Sequence, residues 1–198
     1  MNIWDERYGA AGFLYGTEPN DFLKAEAGRI PPGEVLCLAE GQGRNAVYLA
    51  RQGYAVTAVD ASAVGLAKLE ELARPHNLRI ATVASDLARY EIEPGAWDAI
   101  VSIWCHVPPP VRRPLHAASV AGLKPGGWMI LEAYHPRQLQ YKTGGPPVPE
   151  LTMTLEALRQ ELAGLEFVLA QELDREVHEG TGHHGKGAVV QVAARKGA

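Results

Sequence analysis

Residues 36–62 read LCLAEGQGRNAVYLARQGYAVTAVDAS. An apolar run ends at Glu40, and Gly41-Gln42-Gly43-Arg44-Asn45-Ala46 follows it as a G-x-G-x-x-G/A turn that opens a helix. Gly53 closes that helix, and YAVTAVD forms a second strand ending in Asp60. An acid at that distance suits a nucleotide ribose, so one reading is an NAD(P)-binding oxidoreductase. Cys37 inside the first strand and Glu40 against the glycines are unusual for that reading.

Working outward, strands and helices alternate. EVLCLA (34–39), YAVTAVD (54–60), LRIATVA (78–84), WDAIVSIW (97–104) and WMILEAY (128–134) read as strands. The Gly loop through Gln52, SAVGLAKLEELARPH with Ser62 as its cap, and PPVRRPLHAASVAGL read as helices. KPGG (124–127) reads as a turn. EFVLAQELDREV and GAVVQVAARK add two closing strands, joined by the hairpin-like HEGTGHHGKG. The expected fold is α/β: a Rossmann-like, doubly wound, seven-stranded, mostly parallel sheet with an antiparallel edge strand and helices on both faces.

The 198 residues and 46% hydrophobic content allow one sizeable core, expected as a single domain over 1–198. Within it, 1–32 form an N-terminal cover and helix, and 33–135 the nucleotide-binding core. Residues 136–153, rich in Pro and Gly, make a substrate-side loop, and 154–198 a helix and closing hairpin. The first 17 residues show no clear period, and EPNDFLKAEAGRI gives a helix. The net charge of −4 supplies no general pull toward nucleic acid or anionic membrane, so neither is an expected partner. No apolar run approaches the ~18 residues of a membrane span, and MNIWDERYG is unlike a signal peptide. Cys37 and Cys105 lie in apolar runs and read as buried, reduced thiols. A cytoplasmic protein is expected, as a monomer or weak homodimer.

The ends of the strands carry Glu40, Asp60-Ala61-Ser62, Ser85-Asp86-Leu87, Ser102-Ile103-Trp104 and Tyr134-His135. Ligands bind at such ends in an open α/β sheet. Asp86 can accept from an adenine amine while the Leu87 N–H donates to a ring nitrogen. No stretch after residue 135 is long enough for the second domain that a dinucleotide enzyme needs.

At these residues the chain resembles the class I S-adenosylmethionine-dependent methyltransferases. LAEGQGRNAVYLA, the Asp60 of VDAS, the Asp86 of SDL and LKPGGWMIL stand in that family's order and spacing over about 33–135. WDERYGAAGFLYGTEPNDFL and REVHEGTGHHGKGAVVQVAARK are similar to a small bacterial branch that includes tellurite-resistance and thiopurine methyltransferases. The resemblance implies S-adenosylmethionine as cofactor and S-adenosylhomocysteine as product. It implies a cofactor site of Glu40, Gly41, Gly43, Arg44, Asn45, Asp60, Ala61, Ser62, Asp86, Leu87, Ser102, Ile103 and Trp104, covered by Trp4, Tyr8 and Tyr15. In that site the two glycines would leave room for the cofactor's methionine part, and Asp60 would take the ribose hydroxyls.

The implied reaction is methyl transfer to a small molecule, a thiol or a chalcogen oxyanion among the candidates; a non-catalytic member of the fold is a further alternative. The family's usual acid at 37 and Gly at 39 are here Cys37 and Ala39, and Glu40 is expected to supply the missing negative charge for the cofactor's ammonium. His106 and His178 are candidate catalytic residues, with Arg137 and the 144–149 loop on the substrate side. His135, His183 and His184 are further histidines near the site, and no ligand spacing around them supports a metal. Glu179 stands where tellurite-type relatives place an Arg, which weighs against an oxyanion acceptor.

Overall fold

The computed structural model describes residues 3–197. In chain order it runs α1 (Ile3–Gly9), α2 (Asp21–Glu26), β1 (Glu34–Leu38), α3 (Arg44–Arg51), β2 (Ala55–Asp60) and α4 (Ala63–Ala73). There follow β3 (Ala81–Ala84), β4 (Trp97–Ile103), α5 (Pro109–Gly122), β5 (Leu123–Tyr134), α6 (Leu155–Glu161), β6 (Leu165–Glu179) and β7 (His183–Lys196). The strands form one seven-stranded sheet in the order β3-β2-β1-β4-β5-β7-β6. β1 to β5 pair in parallel, while β7 runs antiparallel to both β5 and β6. The antiparallel strand therefore lies one place in from the edge, which β6 forms.

Alternation along β1 shows why helices cover both faces. Leu36 and Leu38 point into one cluster, with Ile100, Leu131, Leu115 of α5 and Leu158 of α6. Val35 and Cys37 point into the other, with Leu23 of α2, Leu49 of α3 and Leu69 of α4. Each side chain from Val35 to Leu38 is buried, as a central parallel strand requires. Both cysteines are buried free thiols.

Local elements depart from the sequence reading in understandable ways. Residues 3–9 form a helix, but it is two turns long and buries only Tyr8, too little to show a period. The helix expected over EPNDFLKAEAGRI narrows to α2 and a 3-10 turn at Ala27–Arg29. KPGG already pairs as the irregular start of β5: Trp97 opposes Leu123, and the register then shifts so that Ala99 opposes Trp128. The hairpin loop contracts to residues 180–182, because the strands continue to Glu179 and resume at His183. The 136–153 segment contains two 3-10 turns, Pro136–Gln140 and Pro149–Leu151. Among the described residues no helix is long and apolar enough to cross a membrane.

The strand order reverses between β1 and β4, so a crevice opens outside their carboxyl ends. β6 runs in the same direction as β1 to β5, and it delivers Glu179 and the following turn to that same end of the sheet.

Candidate active site

The first wall of the crevice is the Gly loop. Gly41 and Gly43 adopt φ of 61° and 90°, conformations that glycine reaches without steric penalty. A Cβ on Gly41 would lie 2.6 Å from the Tyr8 hydroxyl, and one on Gly43 would lie 2.3 Å from Leu69 Cγ. The glycines are thus required by contacts with the N-terminal helix and with α4. Ala39, where the resemblance expects glycine, also holds a left-handed φ of 52°; a Cβ in that conformation costs roughly 1–2 kcal/mol.

Asp60 fixes the loop from the end of β2. Its Oδ2 accepts from the Gly41 N–H at 2.8 Å, and its Oδ1 accepts from the Ser62 N–H at 2.8 Å. Each oxygen keeps a further lone pair, so the carboxylate can still accept from a pair of hydroxyls. Ser62 caps α4 through the Gly65 N–H and donates its hydroxyl to Asp5, which draws α1 over the crevice. Tyr8 is buried against Gly41 and Gly65, and Trp4 stacks on it at 5.6 Å. Glu40 turns back on the helix it precedes, its Oε1 accepting from the Ala46 N–H at 2.8 Å. Burial pushes its carboxyl up to about 7, against the pull of that hydrogen bond and of Arg44.

The second wall is a buried polar and aromatic cluster that joins four parts of the chain. The Glu179 carboxylate accepts from Arg44 Nη2 at 2.6 Å, Trp104 Nε1 at 2.6 Å and Asn20 Nδ2 at 2.8 Å. His183 Nδ1 stands 3.4 Å from the same carboxylate. Burial alone would raise the Glu179 carboxyl, but His183, Arg44 and Asn20 outweigh it and hold it at about 2. Behind it, Glu132 receives a two-pronged pair from Arg175, both bonds at 2.8 Å, with Asn20 at 2.5 Å and Gln191 at 2.7 Å. Above lie the rings: Trp104 stacks on Tyr134 at 4.3 Å, and Tyr15 covers His183 at 4.5 Å. Leu14 holds this cover in place, its carbonyl accepting from the Thr181 and Gly182 N–H groups.

Of the residues singled out in the sequence, Glu40, Gly41, Gly43, Asp60, Ala61, Ser62 and Tyr8 meet at the β1 and β2 ends. Ser102, Ile103 and Trp104 close the β4 end, Trp104 in a left-handed φ of 58° of the kind that functional positions retain. Arg44 and Asn45 turn toward the second wall, Arg44 to Glu179 and Asn45 Oδ1 to the Asn20 N–H. Asp86 is exposed and accepts from the Ala88 N–H, while Leu87 is buried beside a cavity of about 340 Å³ that Tyr90, Ile92, Val111 and Leu115 also line.

His106 lies under the aromatic cluster with both ring nitrogens engaged. Nδ1 donates to the Leu151 carbonyl at 2.9 Å, and Nε2 faces the Tyr134 N–H at 3.5 Å. Burial pushes it down to about 4, so it is neutral.

Two expectations are corrected. His178 pairs with His184 across β6 and β7, and strand alternation turns both to the face opposite Glu179 and His183. Arg137 reaches Asp174 at 3.4 Å on the exposed side, away from the crevice. His135 likewise faces Glu172. Asn20, Glu132, Arg175 and Gln191 were not singled out, and Tyr134 was named only as the end of its strand. Glu132 and Gln191 were legible as polar residues within WMILEAY and GAVVQVAA, otherwise apolar strands.

Residues 35–127 match the family model for a methyltransferase domain. A stretch of 73 residues is 41% identical to the probable S-adenosyl-L-methionine-dependent methyltransferase TehB of Haemophilus influenzae. That match covers 37% of this chain and 25% of the relative, so it spans a quarter of the relative's length. The crystal structure of TehB from Haemophilus influenzae superposes with a TM-score of 0.72 and 25% identity, over 98% of this chain and 65% of that one. The 1,6-didemethyltoxoflavin-N1-methyltransferase of Burkholderia thailandensis, solved with 1,6-didemethyltoxoflavin and S-adenosylhomocysteine, gives 0.62 and 24%, over 89% and 75%. A structure from work on disulfide-to-thioacetal conversion in echinomycin biosynthesis shares the fold, with a TM-score of 0.79 and 18% identity over 98% and 91%. Residues 35–127 are thus similar to a methyltransferase domain, and the fold is the one seen in these S-adenosylmethionine-dependent methyltransferases.

Proposed function

We propose that this chain transfers the methyl group of S-adenosylmethionine to a small-molecule acceptor, with a thiol or a chalcogen oxyanion as the first classes to test. The observation that carries the reading is the Gly41–Asp60–Ser62 arrangement at the β1 and β2 ends, where a buried carboxylate retains free acceptor capacity beside a glycine turn. S-adenosylmethionine, when bound, supplies an electrophilic methyl on a sulfonium whose leaving group is neutral. The chain's own task is then to position the two reactants and exclude water. Asp60 would hold the ribose hydroxyls, Asp86 and Leu87 the adenine, and Ser102 to Trp104 the methionine end. Trp4, Tyr8 and Tyr15 would keep water out.

Thermal unfolding tests this reading. S-adenosylhomocysteine at about 100 times its Kd is expected to add ~2.7 kcal/mol of stability, whereas NAD(H) should leave the melting temperature unchanged. The reverse pattern would overturn the proposal and restore the dinucleotide reading.

Glu40 gives a second test, with a sign fixed by its burial. Its carboxyl titrates at about 7, so it becomes fully ionised only above that pH. If the ionised form faces the cofactor's α-ammonium, the cofactor's Kd falls as pH rises through that range. In the free protein the same raised value means that stability declines as pH rises from its ordinary 4.5 to about 7. Glu40→Gln is expected to raise the Kd several-fold and to flatten its pH dependence by calorimetry. An unchanged Kd and profile would reduce Glu40 to a helix cap.

A further inference from the structure

We infer that His183, oriented by Glu179, is the base that takes a proton from the methyl acceptor, and that the acceptor is therefore a neutral S–H, O–H or N–H compound. The inference rests on the methyltransferase reading and names the substrate class that the second wall suits.

Geometry sets His183 apart from the other histidines. Its Nδ1 side is directed at the Glu179 carboxylate, which favours the tautomer carrying the proton on Nδ1 and leaves the Nε2 lone pair free. Nε2 has no hydrogen-bond partner among the described residues, yet the residue is only 6% exposed. It is also not sealed off, since Trp97 Nε1 is the fully buried side-chain nitrogen left unpaired among those residues. His106, by contrast, has both nitrogens occupied. His178 and His184 face away from the crevice. Trp104, at the end of the strand that would contact the cofactor, meets the His183 ring edge-on at 5.2 Å. The His183 ring thus packs on a residue proposed to meet the cofactor's methionine end.

Charge and surroundings select the acceptor. Tyr15, Trp104 and Tyr134 surround His183 with aromatic surface, which disfavours a charged guest. The two guanidiniums beside Glu179 are already engaged, Arg44 by Glu179 and Arg175 by Glu132, and Arg7 lies beside Tyr15. An oxyanion entering beside His183 would meet the Glu179 carboxylate, whose own cations, Arg44 and Arg175, are already engaged. A neutral thiol or phenol, with an ordinary pKa of roughly 8.5–10, is mostly protonated at neutral pH and gains from a base. In the step, the acceptor's S, O or N atom forms the bond to the methyl carbon and its proton passes to His183 Nε2. The methyl–sulfonium bond breaks with its electron pair going to sulfur, giving S-adenosylhomocysteine.

The titratable groups facing His183 are Glu179 on β6, Tyr15 on the N-terminal cover with Arg7 beside it, Tyr134 on β5 and His106 after β4, with Arg44 and Arg175 behind Glu179. Glu179 is a positioning residue in this scheme.

The test follows S-adenosylhomocysteine formation by the full chain with S-adenosylmethionine and, separately, 2-mercaptoethanol, phenol, imidazole, selenite and tellurite. Turnover is expected with at least one of the first three acceptors, with a rate that rises with pH. His183→Gln is expected to lower kcat by about 10²–10⁴-fold while calorimetric S-adenosylhomocysteine affinity stays at the wild-type value. Glu179→Gln should move the rising limb of the pH–rate profile, because the negative charge beside the His183 ring is lost. If His183→Gln does not fold, the wild-type profile and Glu179→Gln decide. Turnover of selenite or tellurite alone, or an unmoved pH profile in the variants, overturns the inference. So does a wild type that binds S-adenosylhomocysteine but uses none of the S–H, O–H or N–H acceptors. Failure to bind S-adenosylhomocysteine at all overturns the methyltransferase reading as well.

Discussion

Glu132→Ala is expected to lower the free energy of unfolding by about 3–5 kcal/mol, measured by urea denaturation. Glu132 is fully buried in mid-strand and neutralises Arg175 through two 2.8 Å hydrogen bonds, while also accepting from Asn20 and Gln191. Removing it strands a guanidinium whose next carboxylates are 3.6 Å away, Glu179 and the exposed Asp21. The cost comes from the charge left behind, so replacing both partners should restore much of it: Glu132→Leu with Arg175→Met is expected to be clearly more stable than either single change. A loss below about 1 kcal/mol in Glu132→Ala would put the pair in the class of weak, solvent-screened bridges.

Gly43→Ala is expected to destabilise by about 2–5 kcal/mol, combining a backbone held at positive φ with overpacking. Its φ of 90° is strained for any side chain, and the new Cβ would lie 2.3 Å from Leu69 Cγ and 2.9 Å from the Leu69 Cα. The Cα belongs to a helix buried in the core, so rotating the leucine does not relieve the clash. Gly53→Ala provides the control, because Gly53 has a φ of 94° and nothing within 4 Å of an added Cβ. It should lose only the backbone contribution. Equal midpoints for the two variants would show that α4 yields to the extra atom, and the packing argument would fail.

The contrast between those glycines bears on how far the sequence could be read. The Gly loop, Asp60 and the alternating strands are local patterns, and the loop and Asp60 do meet at the β1 and β2 ends because strand ends and helix starts are set by neighbouring residues. That Gly43 packs against Leu69 is not local, so the sequence suggested the need for glycine but not its contact. The same limit applies to the hairpin. His178 and His183 look equivalent in HEGTGHHGK until the turn length is known, and a turn over residues 180–182 sends one inward and the other outward. Asn20 was legible as a helix cap, and it does cap α2 through the Leu23 N–H. Its amide also donates to Glu132 and Glu179, residues 112 and 159 positions away, and no spacing rule reports such a bond. Glu132 was the missed opportunity: a carboxylate within an apolar central strand needs a partner somewhere.

The place of β7 in the sheet has a consequence for the nascent polypeptide. β5 is paired on one side by β4, but its other side waits for residues 183–196, which emerge about fifty positions later. Until then the chain presents a long, apolar strand with open hydrogen-bonding groups, the kind of edge that recruits other chains. In the folded sheet that place belongs to β7, and β6 pairs with β7 rather than with β5. Completion of the last strand therefore does three things at once: it closes the sheet, seats β6 and brings His183 against Glu179. A ribosome stalled before residue 183 would hold a chain that has its Gly loop in sequence but lacks its second wall.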